Sequence, residues 1–186
     1  MVLLRDYRQG DFEELFRIDT DCFQPGIAYS RGELQSYVQR KESFCIIAER
    51  AAAESHPSKP EAGLSGTPGG DGSQVEATKV AADSSAGKRK ERIAGFVVVE
   101  LHREGYGHVI TLDVRRNFRR HQLGTLLMQA AEERIRKLGG FMMVLETATD
   151  NLAALAFYER HHYRILKRLP RYYSHKLDAL FLTKRL

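Results

Sequence analysis

The 186-residue chain contains two cysteines, Cys22 and Cys45, too few for a disulfide framework. It has no Cys-x-x-Cys pair, and His108, His121, His161, His162 and His175 fall at no metal-ligand spacing, so no metal is expected. No apolar run approaches the roughly 20 residues of a membrane span. The opening MVLLRDYRQGDFEEL turns polar too early for a secretory signal. A cytoplasmic protein is the expectation, with Cys45 in FCIIA as a buried free thiol. Two glycine-rich phosphate cradles, GxGxxG and GxxxxGK[ST], are also missing, and there is no internal repeat. What remains is ordinary for a globular domain: 42% hydrophobic residues, 28% charged, and a net charge of +5. The positive excess reads as solvated surface, so neither a nucleic-acid partner nor a membrane is expected.

Periodicity organises the chain. Val2 to Tyr7 predicts a strand, and Phe12, Leu15, Phe16 and Ile18 follow helical spacing after Asp11. Pro25 and Gly26 break that helix, and Ser30 can cap a second one from Arg31 to Arg40. Phe44 to Ala48 is a β-rich run. Residues 51–91, Ala51 to Glu91, contain no Phe, Tyr or Ile. Such a stretch cannot bury enough apolar surface to offset its ordering entropy, so a flexible insertion between two strands is predicted. Strands follow at Ile93 to Leu101 and Gly107 to Val114. A helix from Gln122 to Leu138 carries apolar residues at 123, 126, 127, 130, 131, 135 and 138, with Glu132–Arg136 and Glu133–Lys137 pairs on its outer face. Gly139–Gly140 ends it. Phe141 to Glu146 reads as a buried strand. Asp150 can cap a helix from Asn151 to Glu159, and strands at Tyr163 to Leu169 and Leu177 to Leu182 close the chain. The order is β-α-α-β-β-β-α-β-α-β-β, an α/β (α+β) layer fold forming one domain over 1–186.

The stretch from Leu112 to Leu138 carries the strongest functional signal. A short strand leads into a basic turn that delivers Arg119, Arg120, Gln122 and Gly124 where a helix begins. Helix starts have unpaired N–H groups and a partial positive charge, and arginines add charge-assisted hydrogen bonds to phosphate oxygens. The turn suits a phosphorylated cofactor; the structural alternative is a solvated basic turn ahead of a core helix.

At Arg119-x-x-Gln122-x-Gly124 the chain resembles the GNAT acetyltransferase family, whose acetyl-CoA motif runs Q/R-x-x-G-x-G/A between a strand and a helix. Gln122 stands where that motif has its first glycine, and must adopt the same backbone conformation with a side chain to accommodate. LETATDNLAALAFYERHHY resembles the second signature, LxVxxxNxxAxxxYxxxGF. Leu145, Glu146, Asn151, Ala154, Tyr158 and Tyr163 match, and His162 stands at a glycine position. RYYSHKLDALFLTKRL resembles the ending of the N-terminal protein acetyltransferases, the group that includes the bacterial ribosomal-protein-alanine acetyltransferase. CFQPGIAYS resembles their Cys-Phe-Pro-type loop. The resemblance covers essentially everything outside 51–91.

It implies a GNAT-type fold with a central mixed, mostly antiparallel sheet flanked by helices. It also implies acetyl-CoA as co-substrate, without metal, and a protein or peptide N-terminus as acceptor, a ribosomal protein among the candidates. Glu146 is implied as general base and Tyr158 as general acid toward the departing thiolate. Leu112, Asp113, Val114, Arg119, Arg120, Gln122, Leu123, Gly124, Thr125 and Asn151 are implied on the cofactor, and Phe23, Pro25, Tyr29, Tyr172 and Tyr173 on the acceptor. Each has a structural alternative: a surface glutamate, a core tyrosine, a helix cap, strand-edge packing. An acetyltransferase for a small amine and a non-catalytic CoA-binding module are the competing functions.

Overall fold

The computed structural model describes residues 2–50, 92–173 and 176–186. The expected insertion at 51–91 lies outside the described residues. Seven strands form one sheet: β1 (Val2–Asp6), β2 (Ser43–Arg50), β3 (Ile93–Leu101), β4 (Tyr106–Val114), β5 (Met142–Ala148), β6 (Arg164–Tyr173) and β7 (Leu177–Arg185). Their spatial order is β1-β2-β3-β4-β5-β7-β6. Every neighbouring pair is antiparallel except β4–β5. The helices are α1 (Phe12–Cys22), α2 (Arg31–Gln39), α3 (Leu123–Lys137) and α4 (Leu152–Arg160). Element order and the mixed, mostly antiparallel sheet agree with the sequence reading. The terminal hairpin is longer than expected, and β6 runs through the Tyr172–Tyr173 pair.

Two apolar layers sandwich the sheet. Phe12, Leu15 and Ile18 of α1 and Leu34 and Val38 of α2 pack on one face with Cys45, Ile47, Phe96 and Val98. Leu127, Met128, Ala131 and Ile135 of α3 pack on the other with Val97, Val99, Val109, Met143, Leu145 and Leu182. Gly107 lets α3 come close, because a Cβ there would stand 2.6 Å from Ile135 and 2.8 Å from the Met143 sulfur. Ser30 caps α2 as its sequence suggests, in a reciprocal capping box with Glu33.

Several expectations on the helices are corrected. Leu126 and Leu138 of the α3 stripe are exposed, and Met128 takes a core position. Glu132 does not lie on the outer face. It is buried, accepts a hydrogen bond from the Tyr163 hydroxyl (3.0 Å) and pairs with Lys184 Nζ (2.6 Å), while Arg136 stands at 4.0 Å. Glu133–Lys137 does form on the solvent side, at 2.6 Å. The cap of α4 is Asn151 rather than Asp150; its side chain accepts from the Ala154 N–H at 3.2 Å.

Candidate functional site

The parallel junction creates the site. β4 and β5 pair only at Tyr106–Met142, Gly107–Met143 and His108–Val144. Beyond His108 the two strands part, and β3 is the one strand with which β4 still pairs. Its other edge therefore presents unpaired backbone groups to a gap. Near the start of the gap β4 bulges, because Val98 pairs with Thr111 and Val99 with Val109, leaving Ile110 extra. The Tyr29 hydroxyl donates to the Ile110 carbonyl at 3.1 Å.

Two cavities meet in this gap. The first, of about 340 Å³, lies toward α1 and the β6–β7 hairpin, and is lined by Phe23, Tyr29, Ile110, Glu146 and Tyr173 among others. The second, of about 560 Å³, lies toward α3 and α4, and is lined by Arg119, Arg120, Gln122, Gly124, Thr125 and His161 among others. Cys22, Phe23, Leu112, Asn151, Ala154 and Tyr158 wall both.

The basic turn shapes the second cavity through its backbone. Arg120 (φ 66°) and Gln122 (φ 60°) are both left-handed, a conformation that costs about 1–2 kcal/mol for residues with a Cβ. Successive turn residues of this kind gather N–H groups into an anion-binding concavity. Gln122 is the N-cap of α3 and no side chain caps that end, so first-turn N–H groups stay open. Gln122 thus takes the glycine-like conformation its position requires, as does His162 (φ 65°) after α4. Arg119 Nε donates to the Val114 carbonyl at 2.9 Å, which ties the turn to the end of β4. Gly124 serves packing as well, since a Cβ there would stand 3.3 Å from the Phe157 ring. Thr125 is held by His161, whose Nε2 lies 3.0 Å from its hydroxyl and whose Nδ1 lies 2.7 Å from the Phe157 carbonyl. A ring with its proton on Nδ1 satisfies both contacts.

Glu146 lines the first cavity near the end of β5. Its Oε2 lies 2.7 Å from His108 Nε2, the last β4 residue paired with β5. An ionised Glu146 accepts here from the imidazole N–H. His108, which falls at no metal-ligand spacing in the sequence, is the partner of the candidate base. Tyr158 is buried, and burial raises its phenol pKa, so it holds its proton. Cys22 donates to the Val114 carbonyl at 3.5 Å, and burial pushes its thiol up to about 11.

Most predicted residues line one cavity or the other, but three do not. The Asp113 side chain turns away beneath α1, where Thr111 Oγ1 donates to it at 2.8 Å. Burial, then the nearby Asp19, push its carboxyl far above the usual range. The bulge explains this, because an extra residue at Ile110 shifts the in–out alternation. Pro25 lines neither cavity, and Tyr172 stands half-exposed against Tyr173, ring centroids 5.0 Å apart. Sequence reasoning missed Gln24 and Ile27 in the first cavity, Phe118, Phe157, Arg160 and His161 in the second, and Cys22 in both. Among the described residues no cluster of three His, Cys, Asp or Glu could hold a metal, and no helix is long and apolar enough to cross a membrane.

Comparison with known proteins agrees with this fold. The Acetyltransferase (GNAT) family model matches residues 73–163. Over 93 residues the chain is 38% identical to N-alpha-acetyltransferase 30 of Schizosaccharomyces pombe, covering 48% of this chain and 62% of that protein. Over 95 residues it is 33% identical to an uncharacterised N-acetyltransferase of Methanocaldococcus jannaschii, covering 50% of this chain and 60% of that one. These alignments thus span about three fifths of the relatives' own length. The crystal structure of the ribosomal-protein-S18-alanine N-acetyltransferase from Escherichia coli shares the fold, with a TM-score of 0.71 at 14% identity, covering 100% of this chain and 94% of that one.

Proposed function

Because this chain carries a GNAT acetyltransferase domain, we propose that it moves the acetyl group of acetyl-CoA directly to the α-amino group of a protein or peptide. The observation that carries this reading is the meeting of two cavities across the β4–β5 gap, with Glu146 in one and Tyr158 in the wall of both. The second cavity fits acetyl-CoA. The left-handed turn, the open start of α3 and the side chains of Arg119, Arg120 and Arg160 suit the phosphates. The edge of β4 at Leu112 and Asp113, which β5 leaves uncovered, suits an amide-bearing arm, as an added strand suits a sheet edge.

In the proposed reaction the acceptor's ammonium gives a proton to Glu146, directly or through one water. His108, bound to Glu146 Oε2, holds that carboxylate toward the cavity and leaves Oε1 for the proton. The amine nitrogen forms a bond to the thioester carbon, the carbon–sulfur bond breaks, Tyr158 supplies a proton to the leaving thiolate, and the second proton that the nitrogen sheds on becoming an amide restores the phenol. Cys22 is no acyl carrier in this scheme, because its thiol stays protonated at neutral pH. Free thiols at Cys22 and Cys45 suit a reducing cytosol.

The test uses Glu146→Gln with a peptide library, ribosomal-protein N-termini included, and release of free CoA as the readout. Turnover is expected to fall about 100-fold or more, with the acetyl-CoA dissociation constant within about twofold of wild type by titration calorimetry. Unchanged turnover removes Glu146 from its role. Transfer to small amines but to no peptide moves the reading to a small-molecule acetyltransferase. Thermal stabilisation by acetyl-CoA without transfer to any amine leaves a binding module.

A further inference from the structure

The sheet face that carries Glu146 continues past it as a row of side chains. Glu146 on β5 is the direct cross-strand partner of Phe181 on β7, and Phe181 is the partner of Lys167 on β6. Directly opposed residues of antiparallel strands share a face, so all three point to the side of the first cavity. Lys167 Nζ sits over the Phe181 ring, 5.3 Å from its centroid, which holds an otherwise flexible ammonium in place. On the same face Arg164 pairs with Thr183, itself the partner of Val144. The row beyond Glu146 toward the hairpin tip is low, formed by Ala148, Ala179 and Leu169. Charge on this part of the sheet is one-sided. Asp178 is taken by Arg168 and by the Arg171 N–H, and among the described residues neither Lys167 nor Arg164 has a carboxylate within ion-pair distance. Both are exposed.

We propose that the preferred acceptor carries an acidic side chain at its second or third residue, received by Lys167 over Phe181 with Arg164 beside it. This rests on the α-amine reading above. Two strand spacings of about 4.8 Å separate Glu146 from Lys167 across the sheet. An extended peptide advances about 3.4 Å per residue, so an amine at Glu146 brings residues two and three within reach of the Lys167 side chain. An unpaired ammonium near a tyrosine-lined mouth repels a basic acceptor and attracts an acidic one, which separates substrates more by mismatch than by strength.

The experiment compares peptides identical except for Asp, Asn or Lys at residues two and three, on the wild type, Lys167→Glu and the Arg164→Glu/Lys167→Glu double variant. The wild type is expected to show kcat/KM about three- to tenfold higher for Asp than for Asn peptides, carried by KM, and lower values for Lys peptides. The preference should shrink in 0.5 M salt, where screening reaches only about 4 Å. Charge reversal should invert the order while the dissociation constant for acetyl-CoA stays put, since neither residue lines the second cavity. Equal rates on Asp and Asn peptides by the wild type, or an Asp preference that survives in the double variant, overturn the proposal while the α-amine reading stands. If no peptide is acetylated, the α-amine reading fails first and the proposal falls with it.

Discussion

Asp19 gives the sharpest test of how the acceptor side is held together. It is fully buried at the end of α1; its Oδ2 accepts the Tyr29 N–H at 3.0 Å, and its Oδ1 has no hydrogen-bond partner among the described residues. Burial raises its pKa to about 6 against the one hydrogen bond from Tyr29, which lowers it. The unfolded chain releases the same proton near 3.9. Between those values the native state binds more protons than the unfolded one, so stability is full below about pH 4 and falls as pH rises through about 6. From 3.8 to about 6, at about 1.4 kcal/mol per pH unit, the loss is on the order of 3 kcal/mol, a large part of a typical domain's stability. Asp113 contributes with the same sign and from the same lower limit, since its carboxyl too is held above its unfolded value. Asp11 works in the opposite direction, since hydrogen bonds from Arg5 and the Arg8 N–H outweigh its burial. The informative quantity is therefore the difference between wild type and Asp19→Asn, which removes the charge and keeps an oxygen for the Tyr29 N–H. Urea unfolding from pH 4 to pH 7 should show the wild type losing about 2–3 kcal/mol more than the variant. Parallel curves would refute the reasoning, because they would mean that Asp19 titrates alike in folded and unfolded chains.

Two further outcomes follow from the packing. Tyr158→Phe removes the phenol from a wall shared by both cavities; turnover should fall about 10- to 100-fold with acetyl-CoA affinity retained, as read by single-turnover acetylation beside calorimetry. Gly107→Ala drives a methyl group to within 2.6–2.8 Å of Ile135 and Met143, an overpacking that should cost about 1–3 kcal/mol, seen as a lowered Tm with an unchanged m-value.

How much of this could be read from the sequence depends on the range of each interaction. The order of strands and helices, the Ser30 cap and the glycine-like backbone at Gln122 are properties of short segments, and all are present. Glu132 shows where local reasoning stops. Its spacing to Arg136 promised a surface pair, but its partners are Tyr163 and Lys184, 31 and 52 residues away, brought in by the closing hairpin. His108 and Glu146 are 38 residues apart and meet only because β4 and β5 pair in parallel at His108. The direction of Asp113 was hidden by one extra residue at Ile110, since strict alternation along β4 cannot show a bulge set by its register with β3.

The brevity of the β4–β5 contact has a mechanical consequence. Three residue pairs join two panels, one of β1 to β4 and the other of β5, β7 and β6. Elsewhere the ladders are long, so the seam is where amide protons should exchange soonest and where the panels can breathe apart. A molecule gripped by both walls of the gap would act as a stitch across that seam. Occupancy and cooperativity would then be linked: the filled protein would melt as one body, and the empty one would loosen first along the line where its ligand belongs.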